Sequence, residues 1–364
     1  MTPRPIFVHG HTIGGDAAPF VIAEMSANHN GSLERALAIV DAAADAGAHA
    51  VKIQTYTADT MTLDIDAGEF AITDPGSLWR GRTLYDLYRE AATPYEWHRE
   101  IFDRCRSRGL VGFSSPFDPT AVDFLESLGV GMYKIASAEV VDIPLIRRVA
   151  STGKPMVMST GMTDLAELSE AIDAARGQGC QDILVLKCTS AYPAPVEASN
   201  VLTIPEIRRR FDVHVGFSDH TLGLGAAVAA VALGAVAIEK HFTLSREDGG
   251  VDAAFSATPD ELARLVRETA TARRALGGVQ LAPSADEIAS RRYRRSLYIV
   301  EDMKAGDVFT AANVRAIRPG LGLAPKHIDA FIGRAISRDA PRGTALTWEH
   351  LADARPRLAP RSSG

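Results

Sequence analysis

The chain is poor in cysteine: Cys105, Cys180 and Cys188 are the only three in 364 residues. The odd number and the lack of any metal-binding or redox spacing exclude a disulfide framework and a thiolate zinc site, and read as reduced thiols of a cytoplasmic protein. A long apolar run is missing too. The richest stretch, 226–237, is alanine-rich and broken by Gly234, so no segment reaches transmembrane length. The first five residues lead into a short apolar run that Gly10 and His11 interrupt, which does not read as a signal peptide. Neither sign of charge dominates. A formal net charge of −6 gives no reason to expect nucleic acid or a membrane surface as partner. No strand-like run is followed by a glycine-rich phosphate turn, which weighs against an open doubly wound sheet.

What the chain does have is alternation. Short apolar runs recur at Phe20–Met25, Ala50–Thr55, Val111–Ser115, Met132–Ser137, Met156–Thr160, Ile183–Thr189, Val213–Asp219 and Ala235–Phe242. They are continuous rather than alternating, as parallel strands covered on both faces require. Amphipathic helical stretches such as Ser32–Ala46, Glu96–Arg108, Pro119–Leu128 and Leu165–Gln178 lie between them. Ser32 and Thr163-Asp164 stand where N-caps belong. Eight such units predict an α/β fold, a (β/α)8 TIM barrel over residues 1–276. Pro5–Val8 and Gly14-Gly15-Asp16 predict a small hairpin plugging the barrel bottom. The connection Thr57–Pro94 is long for a strand-to-helix link and reads as a lid or extra helices.

Residues 277–291 are polar, contain Pro283 and read as a linker. In the remainder, 292–364, Asp302-Met303-Lys304-Ala305-Gly306 is echoed by Asp339-Ala340-Pro341-Arg342-Gly343. Two such halves can bury each other's apolar faces, so a small β-rich domain with pseudo-twofold symmetry is predicted.

Nearly every predicted strand ends in polar side chains, and in a parallel barrel all those ends meet at one mouth. His220 and His241 then fall on neighbouring strand ends. Two neutral imidazoles there can hold a divalent metal. With Glu24, Glu239 and Asp252 nearby, manganese, zinc or iron suits them better than magnesium. Lys52, Lys134, Ser115, Ser137, Ser159 and Ser218 can hold a phosphate or a carboxylate. A Schiff-base lysine of an aldolase, or lysines that merely pair with Glu24 or Glu239, are the alternatives; both cations beside a metal favour a substrate with several negative charges.

Ile22-Ala23-Glu24-Met25-Ser26-Ala27-Asn28-His29-Asn30-Gly31, Lys52-Ile53-Gln54-Thr55, Lys134-Ile135-Ala136-Ser137, Ser159-Thr160-Gly161-Met162, Ser218-Asp219-His220-Thr221 and Glu239-Lys240-His241-Phe242 together resemble the sialic acid synthase family. Arg294-Arg295-Ser296-Leu297-Tyr298 and Arg318-Pro319-Gly320 resemble its carboxy-terminal antifreeze-like (SAF) domain. Gln54–Thr60 and Gly81–Tyr88 are most similar to the branch of pseudaminic acid synthases. That branch condenses phosphoenolpyruvate with 2,4-diacetamido-2,4,6-trideoxy-altropyranose.

The resemblance implies roles. His220 and His241 become manganese ligands. Lys52, Ser115, Lys134, Ser137, Ser159, Ser190 and Ser218 surround phosphoenolpyruvate, although Ser190 stands where the sialic acid branch usually has asparagine. Glu24, Gln54, Tyr192, Glu239 and Asp252 line the sugar side, with Glu24 or Glu239 as base. Arg318 reaches an acetamido group from the partner subunit of a domain-swapped homodimer. The rival readings are a sialic or legionaminic acid synthase, a class I aldolase, and a carbohydrate-binding relative that lost catalysis.

Overall fold

The computed structural model describes residues 3–352. The chain divides into two compact units, Met1–Gly277 and Gly278–Gly364.

In the first unit, β1 (Ile6–Val8) and β2 (His11–Ile13) form an antiparallel hairpin. Eight further strands follow among the described residues: β3 (Phe20–Glu24), β4 (Ala50–Thr55), β5 (Val111–Pro116), β6 (Tyr133–Ile135), β7 (Met156–Ser159), β8 (Ile183–Cys188), β9 (His214–Ser218) and β10 (Ala237–His241). They close a parallel barrel in which β10 pairs with β3, His241 opposite Glu24. The expected TIM barrel and hairpin are therefore present.

Helices start where the side chains can cap them. Ser32 accepts from the Arg35 amide, and Asp164 forms a capping box with Glu167. The outward strand residues, among them Val21, Val51, Ile135, Met158, Val185 and Phe217, share one core with the apolar faces of the helices.

The inward residues follow period 2. At the strand starts Phe20, Ile22, Ala50, Val111, Phe113, Val157, Leu184, Leu186 and Ala237 fill the barrel, and Ile6, Val8 and Ile13 of the hairpin pack beneath them. Gly216 belongs to this interior. A Cβ there would come within 2.6 Å of the Ala237 carbonyl and the Leu186 side chain.

Two steps further along each strand the same parity delivers Glu24, Lys52 and Gln54, Ser115, Lys134, Ser159, Cys188, Ser218, and Glu239 and His241. Alternation along one strand thus separates a dry barrel floor from a charged mouth.

The second unit opens with a difference from the sequence reading. Within 277–291, read as a linker, a helix spans Ala285–Ser290, started by a capping box of Ser284 and Glu287. Beyond it β11 (Ser296–Ile299) and β12 (Val314–Ile317) pair antiparallel. The repeat is real in three dimensions. Met303 and Ala340 exchange both backbone hydrogen bonds at 2.9 Å. Asp302 accepts from the Arg342 amide (2.7 Å), and Asp339 accepts from the Ala305 amide (2.9 Å). The halves enclose a core of Leu297, Ile299, Met303, Phe309, Val314, Phe331, Ile336 and Leu346.

Candidate functional site

Four buried charges occupy the barrel mouth. Lys52 Nζ lies 2.6 Å from Glu24 Oε2 and 3.9 Å from Glu239 Oε2. Lys134 Nζ donates to both oxygens of Glu239, at 2.9 and 3.2 Å. The Ser218 hydroxyl donates to Glu239 as well (3.1 Å), and Lys52 reaches Ser115 Oγ at 3.5 Å. Gln54 Nε2 donates to Glu24 Oε1 and Ser26 Oγ, both at 3.0 Å. The Ser26 hydroxyl passes the chain on to the Asp252 carboxylate.

Burial and pairing set the protonation of this group. Burial opposes the Glu239 carboxylate, but Lys134 and Lys52 outweigh it and hold its pKa at about 2. Burial, reinforced by the charge of Glu239, raises Glu24 despite Lys52. Burial alone depresses the Lys52 ammonium, yet Glu239 and Glu24 keep it above its ordinary value. Lys134 is lowered by burial, which Glu239 only partly offsets.

Beside the lysines lies a nook of hydroxyls. Ser137 Oγ accepts from the Gly161 amide at 3.1 Å. A Cβ at Gly161 would sit 2.0 Å from Ser190 Oγ and 2.6 Å from Ser137 Oγ, so the nook needs glycine there. The buried hydroxyls of Ser159 and Ser190 have no protein partner. Buried polar groups are normally paired, so two orphan hydroxyls next to two ammonium groups suit an oxyanion.

The other half of the mouth is imidazole and aromatic. The rings of His220 and His241 have centroids 5.4 Å apart. The His220 Nδ1–H donates to the Thr189 carbonyl (2.9 Å), so in the neutral ring Nε2 carries the lone pair and can act as a ligand. His241 Nδ1 is buried without a hydrogen bond, 3.9 Å from Asp252 Oδ2. Burial, with His220 and Lys52 close by, drives His241 well below the usual histidine range, so it is a neutral donor. These two rings fit a divalent transition metal. The carboxylates expected to help are committed: Glu24 to Lys52, Glu239 to Lys134. Among the described residues no set of three histidine, cysteine or acidic side chains stands ready for a metal. Water and substrate oxygens would have to complete the coordination. The Tyr192 ring packs against His220 with centroids 4.4 Å apart and a 38° tilt, and Phe255 lies 5.0 Å from His241.

Every barrel residue singled out from the sequence therefore converges on one mouth. Arg318 is exposed on the second unit, just beyond β12. Two lysines that also end strands turn away from the mouth. Lys240 Nζ bonds Asp219 Oδ2 (2.8 Å), and Lys187 Nζ bonds Thr189 Oγ1 (2.8 Å).

Several residues of the site went unread in the sequence. Ser26, Phe255 and Trp79 come from connections. Cys188 shares inward parity with Ser190 and lies 3.9 Å from His220 Nδ1. Glu139, on the turn after β6, carries a buried oxygen without a partner, and burial raises its pKa to about 7. Parity could have revealed Cys188, and Ser26 stands two residues after Glu24 within the motif Ile22–Gly31; no local pattern marks the others.

Comparison with known proteins gives the chain its family. A family model described as the NeuB family matches residues 39–280, and a SAF domain model matches 294–352. The chain is 43% identical over 331 residues to a pseudaminic acid synthase of Campylobacter jejuni, covering 91% of this chain and 96% of that one. It is 40% identical to a pseudaminic acid synthase of Helicobacter pylori, covering 92% and 98%. Among solved structures, the N-acetylneuraminic acid synthetase of Leptospira borgpetersenii, in complex with citrate, superposes with a TM-score of 0.71. It is 30% identical over 79% of this chain and 95% of that one.

Proposed function

From the premise that the chain belongs to the NeuB family, we propose that it condenses phosphoenolpyruvate with 2,4-diacetamido-2,4,6-trideoxy-β-L-altropyranose, giving pseudaminic acid and phosphate. The reading rests above all on the division of one mouth into a cationic half with orphan hydroxyls and an imidazole half lined by aromatic rings.

In this reading Lys52, Lys134 and the hydroxyls of Ser115, Ser137, Ser159, Ser190 and Ser218 hold the phosphate and carboxylate of phosphoenolpyruvate. Gln54, Tyr192 and Asp252 line the sugar side. His220 and His241 hold manganese, which when bound supplies Lewis acidity to an aldehyde oxygen. The nucleophilic C3 of phosphoenolpyruvate forms a bond to the aldehyde carbon of the open-chain sugar, and the aldehyde oxygen takes up a proton from water. Water adds at C2, and Glu24 accepts its proton. Glu24 suits that role because burial raises its pKa, whereas Glu239 is held ionised by two lysines. The C2–O bond to phosphate then breaks as the new C2 hydroxyl passes its proton to the departing phosphate and becomes the ketone, and Lys52 and Lys134 stabilise the charge of that leaving group. The product is a nine-carbon 2-keto acid.

Phosphate release measured with this sugar, N-acetylmannosamine and the legionaminic acid precursor tests the proposal. The altro sugar is expected to be preferred by about tenfold or more. Chelation should stop turnover and manganese restore it, and bridging oxygen-18 should leave in the phosphate. A preference for N-acetylmannosamine moves the protein to the sialic acid branch. No phosphate release with any sugar leaves a silent carbohydrate-binding relative.

The same reading makes the enzyme a domain-swapped homodimer working in the cytoplasm, where phosphoenolpyruvate is at hand. Support comes from the exposed Arg318 and from the resemblance; among the described residues, no helix is long and apolar enough to cross a membrane. Mixed Arg318→Ala and Lys52→Ala dimers should recover activity, and no recovery after confirmed exchange would overturn the shared site.

A further inference from the structure

The long connection after β4 folds into a strap. Ile72 donates its amide to the Arg82 carbonyl and Gly81 returns one to Ile72, both at 2.9 Å, so the intervening tip is held by its own ladder. Trp79 sits in that tip, half-buried. Its indole N–H donates to the Val251 carbonyl (3.1 Å), a residue of the connection that follows β10. Its ring lies 6.3 Å from Tyr192, which lies 5.1 Å from Phe255 and 4.4 Å from His220. Three elements thus build one aromatic wall that begins at the imidazole half of the mouth.

The faces of the three rings offer no hydrogen-bonding group, the indole N–H is already committed to Val251, and the one remaining polar atom of the wall is the Tyr192 hydroxyl at its ring edge. A sugar hydroxyl turned to it would give up water with little in return, while a methyl or acetamido methyl gains contact with ring faces. We propose that Trp79 is a specificity-determining residue: with Tyr192 and Phe255 it forms the apolar wall that receives the deoxy or acetamido substituents of the sugar and disfavours a hydroxyl in the same position. The proposal rests on the sugar-condensing reading given above.

Steady-state kinetics of W79A and W79F with the 6-deoxy diacetamido sugar and with N-acetylmannosamine test it. In W79A the KM for the deoxy sugar should rise about tenfold, and the preference over N-acetylmannosamine in kcat/KM should shrink by a similar factor. The KM for phosphoenolpyruvate should stay within about twofold. W79F keeps a ring but loses the bond to Val251, and it should retain most of the preference. Should W79A not fold, W79H, which puts a polar edge in the wall, must shift the preference in the same direction. An unchanged preference, or an equal loss for both sugars, overturns the proposal while leaving the condensing reading intact. A wild-type protein that releases no phosphate with any acetamido sugar overturns both.

Discussion

The two ends of the barrel interior are built from the same eight strands, yet they hold opposite chemistry. At the floor, Phe20, Ala50, Phe113 and Leu184 meet the hairpin residues Ile6, Val8 and Ile13 with no charge among them. At the mouth, one pleat further on, Glu24, Lys52, Lys134 and Glu239 interlock in a space almost as dry. Burying apolar groups stabilises the fold directly. Burying two ion pairs does not, because desolvation offsets the attraction between them. The floor therefore carries stability, and the mouth carries function that stability elsewhere must support.

The sharpest way to break this contrast is Lys52→Met. Activity should fall on the order of ten-thousandfold, equivalent to about 5 kcal/mol at the transition state, while the folded protein persists. Ample residual turnover would make the charges scaffolding instead. At the floor the reverse is expected. Phe20→Ala should cost about 4 kcal/mol in urea unfolding, with kcat of the folded fraction nearly unchanged. A large loss of kcat there would show that floor and mouth are not separable.

The smallest effect concerns His49, beside Phe20. Its Nδ1 accepts the Val21 amide (3.0 Å), and burial, aided by His11, lowers its pKa from 6.5 to about 4. The unfolded chain binds a proton that the folded chain refuses. The contribution is therefore complete above about pH 6.5 and is lost as pH falls toward 4. Between pH 7 and pH 5 it amounts to about 2 kcal/mol. His49→Asn, which keeps an acceptor without a titrating ring, should flatten that much of the slope. An unaltered slope would assign the acid sensitivity to the mouth.

Much of the mouth was legible because strand parity is a local rule. Lys52 with Gln54, Ser218 with His220, and Glu239 with His241 stand two residues apart on strands that must be buried. The same rule, applied strictly, separates out Lys187 and Lys240, which end strands but face away from the mouth. The short helix Ala285–Ser290 was also legible, through Ser284 and Glu287, although the surrounding polarity reads as a linker. Trp79, Phe255 and Glu139 were not. They arrive from connections whose course depends on what they pack against.

The sequence by itself determined the strands, their inward faces and the caps that start the helices, since each follows from contacts within a few residues. The internal repeat of the second unit belongs to the same class. Only the tertiary structure decided which carboxylate each lysine holds, which serines stay unpaired, and that Trp79 crosses to Val251. Those contacts join residues far apart in the chain. Glu24 meets Lys52 through the register of β3 with β4, while Lys134 reaches Glu239 across the closed barrel and Trp79 reaches Val251 between two connections, and no local spacing encodes those partners.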